Sequence, residues 1–151
     1  MKTLTKYLNE KLVINQRFDE KLIINKDYKD AYTCAPNTVE ELRKIIEDRY
    51  NEFGPGTKNN PIYFNDVDVR NIDSFYDNNI NIGIFDGTKF EYIDISDWDV
   101  SNVKNMMGTF SGCKNLKSVG DLSNWNVSKV KNTFAMFMNS GITNKPDWLK
   151  K

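Results

Sequence analysis

No histidine occurs anywhere in the chain. That absence removes Ser-His-Asp and Cys-His catalysis, and every metal site that needs an imidazole. Cysteine is nearly as scarce. Cys34 and Cys113 are far apart and belong to no CxxC pair. They form no zinc site and no disulfide framework, and two free thiols suit a reducing cytoplasm. The phosphate-cradling GxxxxGK[ST] and GxGxxG patterns are missing, and so is the GxSxG turn that presents a nucleophilic serine. Long apolar runs are missing too. Met1 to Glu10 holds none of signal-peptide length, and no stretch approaches a membrane span. These absences lead to the expectation of a non-enzymatic protein with no catalytic residue, cofactor or metal. Its expected place is the cytoplasm of a bacterium or of a phage-infected host cell, away from membranes.

What is present suffices for one compact domain with a core: 151 residues, 39% hydrophobic and 13% aromatic. Asn, Lys, Asp and Ile abound, a composition that resembles the coding bias of AT-rich bacterial or phage genomes. The net charge is zero but unevenly spread. Residues 1–60 hold 11 bases and 10 acids, residues 61–100 two bases and nine acids, and residues 101–151 eight bases and two acids. Such asymmetry can steer a charged partner or align two copies head to tail.

The acids at 94, 97 and 99, and at 66 and 68, repeat a D-x-D spacing, but no EF-hand glycine and distal glutamate accompany them. In the last repeat, Asp121, Asn124 and Asn126 stand in their place, which turn formation explains better than a bound cation.

The strongest pattern is an internal repeat. Ile95, Trp98, Val100, Ser101, Val103, Met106 and Phe110 recur 27 residues later as Leu122, Trp125, Val127, Ser128, Val130, Thr133 and Phe137. A weaker copy lies 31 residues upstream at Phe64, Val67, Val69, Ile72 and Phe75, with an excursion from Tyr76 to Gly83 before Phe85. Phe90–Ile95 and Leu116–Leu122 look like short strands. Apolar positions three and four apart after Ser101 and Ser128 predict short helices, with the serines as N-caps and Gly112 and Gly141 at the ends. Stacking would bury these faces, with Trp98 on Trp125, Val100 on Val127 and Phe110 on Phe137.

The run I/L-S-x-W-x-V-S-x-V-K-N is followed by F-x-G-C or F-M-N-S-G, and then by L-K-S-V-G-D-L-S-N-W. Over residues 60–145 it resembles the BspA-like leucine-rich-repeat family of bacterial surface-protein repeats. The matching positions are Trp98, Val100, Ser101, Val103, Phe110, Gly112, Cys113 and Leu116, and again Trp125, Val127, Ser128, Val130 and Phe137. The resemblance implies a repeat fold and a protein-binding role, because known members bind host or matrix proteins. It carries over no catalytic residue. Those members are mostly long and secreted or lipid-anchored, whereas this sequence shows about three repeats and no export signal.

The expected fold is therefore α+β: a short leucine-rich-repeat-like solenoid of about three strand-turn-helix repeats in residues 61–151, with a C-terminal cap around Trp148. Residues 36–60 read as a capping helix and linker. Thr38 with Glu41 gives a capping-box signature, Val39, Leu42, Ile45, Ile46 and Tyr50 give the apolar stripe, and Gly54-Pro55-Gly56 gives the stop. Residues 1–35 match no repeat. Thr5 to Leu12 fits a short helix, and the near-copies Lys11–Asn15 and Lys21–Asn25 suggest a β-hairpin.

Three strands at about 4.8 Å spacing span roughly 14 Å, too little for the ~800 Å² that each partner of a standard interface buries. Three functions remain in view. The first is a protein–protein interaction module, with a homodimer as one form. The second is a phage- or mobile-element-encoded, anti-CRISPR-like inhibitor of a bacterial nucleoprotein defence complex, acting through the acidic block. The third is a fragment of a surface adhesin. The partner is expected to be a protein or a nucleic-acid-binding complex, without direct nucleic-acid binding. Non-repeated exposed candidates for contact are Tyr63, Asp66, Asp68, Asp73, Tyr76, Asp77, Phe85, Glu91, Asp97 and Asp99.

Overall fold

Thr38, three residues ahead of Glu41, starts α1 (Val39–Phe53), the one α-helix among the described residues. The structure is a computed structural model and describes residues 34–150. Thr38 Oγ1 accepts the Glu41 N–H at 3.1 Å, and Glu41 Oε2 accepts the Asn37 N–H at 2.7 Å, so side chains satisfy donors at the helix start. Gly54, at φ 74, ends the helix and donates its N–H to Tyr50 O at 2.8 Å. Leu42, Ile45 and Ile46 are buried beneath it, and so is Arg49.

Among the described residues, four strands of two residues each and a closing 3-10 helix complete the regular structure. β1 (Ile62–Tyr63) pairs in parallel with β4 (Ile93–Asp94), and β2 (Tyr76–Asp77) pairs antiparallel with β3 (Ile82–Gly83). Single parallel bridges join Ser74 to Asn105, Asn105 to Asn132, and Tyr92 to Ser118. The excursion after Phe75 is thus the β2–β3 hairpin, turned at Asn81 with φ 59.

The leucine-rich-repeat-like solenoid of strand-turn-helix repeats is not formed. One helix and two small two-stranded sheets take its place among the described residues. The segments expected as helices, 103–110 and 130–137, run as successive turns. Three physical causes act together. Asn105 Oδ1 accepts the Met107 N–H at 3.0 Å and Asn132 Oδ1 accepts the Phe134 N–H at 2.9 Å, and these local bonds compete with a helical ladder. Gly108 at φ 59 and Ala135 at φ 55 are left-handed, which a right-handed helix cannot contain. Finally, the N–H groups of Met106, Gly108, Phe110 and Gly112 donate sideways to the carbonyls of Asn132, Phe134, Met136 and Met138, at 2.7, 3.0, 2.8 and 2.8 Å.

The serines are not N-caps either. Ser101 and Ser128 donate their own N–H to Asp99 and Asn126. Phe90–Ile95 shortens to β4, and Leu116–Leu122 keeps only the bridge at Ser118.

The repeats nonetheless lie side by side over one aromatic core. Phe85, Phe110 and Phe137 stack at 5.4 and 5.1 Å. The tryptophans depart from the expected Trp98-on-Trp125 stack. Phe75 packs against both, with centroids at 5.6 Å from Trp98 and 6.3 Å from Trp125. Each indole N–H donates to a carbonyl of the preceding repeat: Trp98 to Phe64 O at 2.8 Å, and Trp125 to Ile95 O at 3.2 Å. Trp148, on the closing 3-10 helix Asp147–Lys150, continues the series by donating to Leu122 O at 2.9 Å and stacking on Trp125. The hairpin expected within residues 1–35 and the helix from Thr5 to Leu12 lie outside the described residues.

Candidate functional site

The sequence candidates do not converge on one exposed surface. Phe85 is a core ring with no exposure, stacked on Trp98 and Phe110, so its expected place on the surface is corrected. Asp77 is also buried, with 1% exposure, between Arg43 at 3.6 Å and the Asn79 N–H at 2.9 Å. Asp68 is buried against Arg70, and Asp66 binds the Arg49 fork through two bonds of 2.7 and 2.8 Å. The repeat pattern concealed Phe85, Asp77 and Asp66 because their partners come from other segments, whereas Asp68 is held locally by Arg70.

The others are reachable. Tyr63 and Tyr76 are half-buried on β1 and β2, and Tyr63 O accepts from Arg49. Asp73 and Glu91 pair with Lys104 and Lys117 of the next repeat, at 3.2 and 2.6 Å. Asp97 and Asp99 are exposed.

The acidic block is therefore largely compensated. Among the described residues, at least five of its nine acids, Asp66, Asp68, Asp73, Asp77 and Glu91, form ion pairs, and four of the five bases in these pairs come from outside residues 61–100. Hydrogen bonds from Arg70 hold the Asp68 carboxyl below its ordinary range, and bonds from Ser101 do the same for Asp99. Asp86 moves the other way, because burial raises it against the opposing effect of Arg43. Burial raises Tyr63 as well, helped by Asp97, Asp66 and Asp94. The recurring D-x-D acids act as turn residues: Asp94 Oδ1 accepts the Ser96 N–H and Asp121 Oδ1 the Ser123 N–H. No cluster of three or more cysteine, aspartate or glutamate side chains fit to hold a metal occurs among the described residues.

The exposed apolar side chains lie where the sequence candidates did not. Phe134 is 73% exposed and Met138 53% exposed, both on the last repeat, and Ile80 is 51% exposed on the β2–β3 turn. Phe134 stands where the inner repeat has Met107, and Met138 where it has Ser111. An apolar pair on the outermost repeat was the signal available in the sequence.

No curated protein and no solved structure matches the chain. A family model does match, over residues 57–148, which takes in all three repeats and Trp148. By that match the chain belongs to the family described as Mycoplasma protein of unknown function, DUF285.

Proposed function

We propose that this chain is a non-enzymatic protein–protein interaction module. The observation that carries this reading is the exposure of Phe134 and Met138 on a molecule whose other repeat phenylalanines and tryptophans are buried. Aromatic and methionine side chains held in water by an ordered scaffold are typical contact residues. The resemblance to BspA-like repeats supports the same reading, since members of that family bind proteins. The inhibitor reading draws less support, because most of the acidic block is neutralised within the chain.

The test is affinity capture with the full chain as bait in an extract of its native host, followed by titration of the purified candidate. A protein that binds the purified chain with Kd at or below about 10 μM supports the module. Recovery of the chain alone would overturn it in favour of a homo-oligomer.

A further inference from the structure

Among the described residues, the last repeat carries an unpaired edge. Within the array, the N–H groups of Met106, Gly108, Phe110 and Gly112 all end on carbonyls of the last repeat. Their counterparts 27 residues on are Thr133, Ala135, Phe137 and Asn139. Among the described residues, no acceptor meets these four N–H groups. Their own carbonyls offer little in exchange. Those of Thr133, Ala135 and Phe137 accept from Met136, Met138 and Ser140 in back-to-back turns, at 3.1, 3.0 and 3.2 Å. Ala135 at φ 55 and Asn139 at φ 56 are left-handed, a backbone habit that turns neighbouring N–H groups to one side and favours negatively polarised ligands. Among the described residues, carbonyls without a donor flank the run at Lys131 and Asn139. The inner counterpart of Lys131 O, Lys104 O, accepts the Lys131 N–H at 2.8 Å.

An edge made mainly of donors selects its occupant. A second copy meeting it about a two-fold axis would set donors against donors. A head-to-tail copy would need an open acceptor edge on the first repeat. That repeat is held by α1, through Arg43 on Asp77, Glu40 on Asn79 and Arg49 on Asp66. The charge around the open edge is positive. Lys131 stands at one end with an exposed side chain. Lys114, equally exposed, borders the other, where its N–H donates to Gly112 O and Gly112 in turn donates to Met138 O. Phe134 and Met138, four residues apart with the buried Met136 between them, stand among the free N–H groups as two apolar seats for an added strand.

We propose that this edge binds an extended acidic peptide segment of a partner protein, which adds to the array through its backbone carbonyls and carboxylates. The apolar seats favour a polypeptide over a nucleic acid. This inference rests on the interaction-module reading and specifies its surface.

The experiment titrates the full chain at neutral pH with a capped peptide alternating glutamate and valine, and follows amide hydrogen exchange residue by residue. Saturation should slow exchange at Thr133, Ala135, Phe137 and Asn139 by at least about tenfold. A peptide alternating lysine and valine should bind at least about tenfold more weakly, and so should the acidic peptide to the Phe134→Glu/Met138→Glu variant. Phe134→Ser alone serves if the double variant misfolds, since its ring is mostly in water. Equal binding of both peptides, protection elsewhere on the chain, displacement by a single-stranded oligonucleotide, or self-association that already protects the four amides would each overturn the proposal. A captured partner held equally well by the double variant would sink the edge and leave the module standing. Peptide binding at the edge with no protein ever captured would do the reverse.

Discussion

Arg49 ties α1 to the first repeat. Its guanidinium binds the Asp66 carboxylate through both oxygens, donates to Tyr63 O and lies 4.9 Å from the Phe64 ring centre. Removing one partner of a buried pair leaves the other charge poorly solvated, so Arg49→Ala should cost about 3 kcal/mol in urea unfolding. A loss under about 1 kcal/mol would mean that the pair is solvated in solution.

Carboxylates give opposite pH signatures. Asp68 and Asp99 have lowered folded values. Their stabilisation is complete above the unfolded value of 3.8 and is lost as the pH falls through the lower folded values. Asp86 has a raised folded value, so its ionisation costs stability as the pH rises from 3.8 through that value. Asp86→Asn should therefore raise the Tm near neutral pH, and the gain should vanish below about pH 4. A gain of equal size at both pH values would assign the effect to packing instead. Burial likewise raises the Cys113 thiol, whose Sγ donates to Phe85 O at 2.9 Å. A thiol reagent should label it only on unfolding.

At the scale of elements, Gly83 and Gly108 should respond differently to the same added methyl group. A Cβ at Gly83 would lie 2.1 Å from Gly108 O, a backbone atom that cannot swing aside. Gly83→Ala should therefore push the first two repeats apart and cost about 3 kcal/mol or more, as severe overpacking does. Gly108 has room, with no atom nearer than 3.8 Å, and pays only for its left-handed φ. Ala135 already occupies the equivalent position at φ 55, so Gly108→Ala should cost about 1 kcal/mol. Chemical denaturation of the two variants in parallel checks the contrast, and equal losses would contradict it.

The same elements explain what the sequence disclosed. α1 was legible because its signals are local: Thr38, Glu41, the apolar stripe and Gly54 all act within one helix. Val103, Met106 and Phe110 suited a helical stripe equally well, yet they line turns. What decides between the two is a set of bonds to residues 26 positions away, such as Met106 to Asn132. The buried Asp77 and Phe85 were misplaced for the same reason. Phe134 and Met138 are not marked by the repeat pattern, because an alignment treats every copy alike, whereas the last copy has no further repeat beside it among the described residues.

Across the whole molecule, stability and binding divide along the array. The Phe85–Phe110–Phe137 stack spans all three repeats, and Phe110 is at its centre with rings on both sides. Phe110→Ala should cost about 3–5 kcal/mol. Phe134→Ser should be nearly neutral for unfolding while weakening partner binding, because that ring is spent on no internal contact of comparable burial. Among the described residues, α1 closes one end of the array, Trp148 covers part of the other, and the backbone N–H groups from Thr133 to Asn139 stay open. Amide hydrogen exchange on the free chain tests that account most directly. Met106, Gly108, Phe110 and Gly112 should be protected, while Thr133, Ala135, Phe137 and Asn139 should exchange nearly as fast as unfolded amides. Equal protection in the two sets would contradict an open edge and, with it, the proposed binding surface.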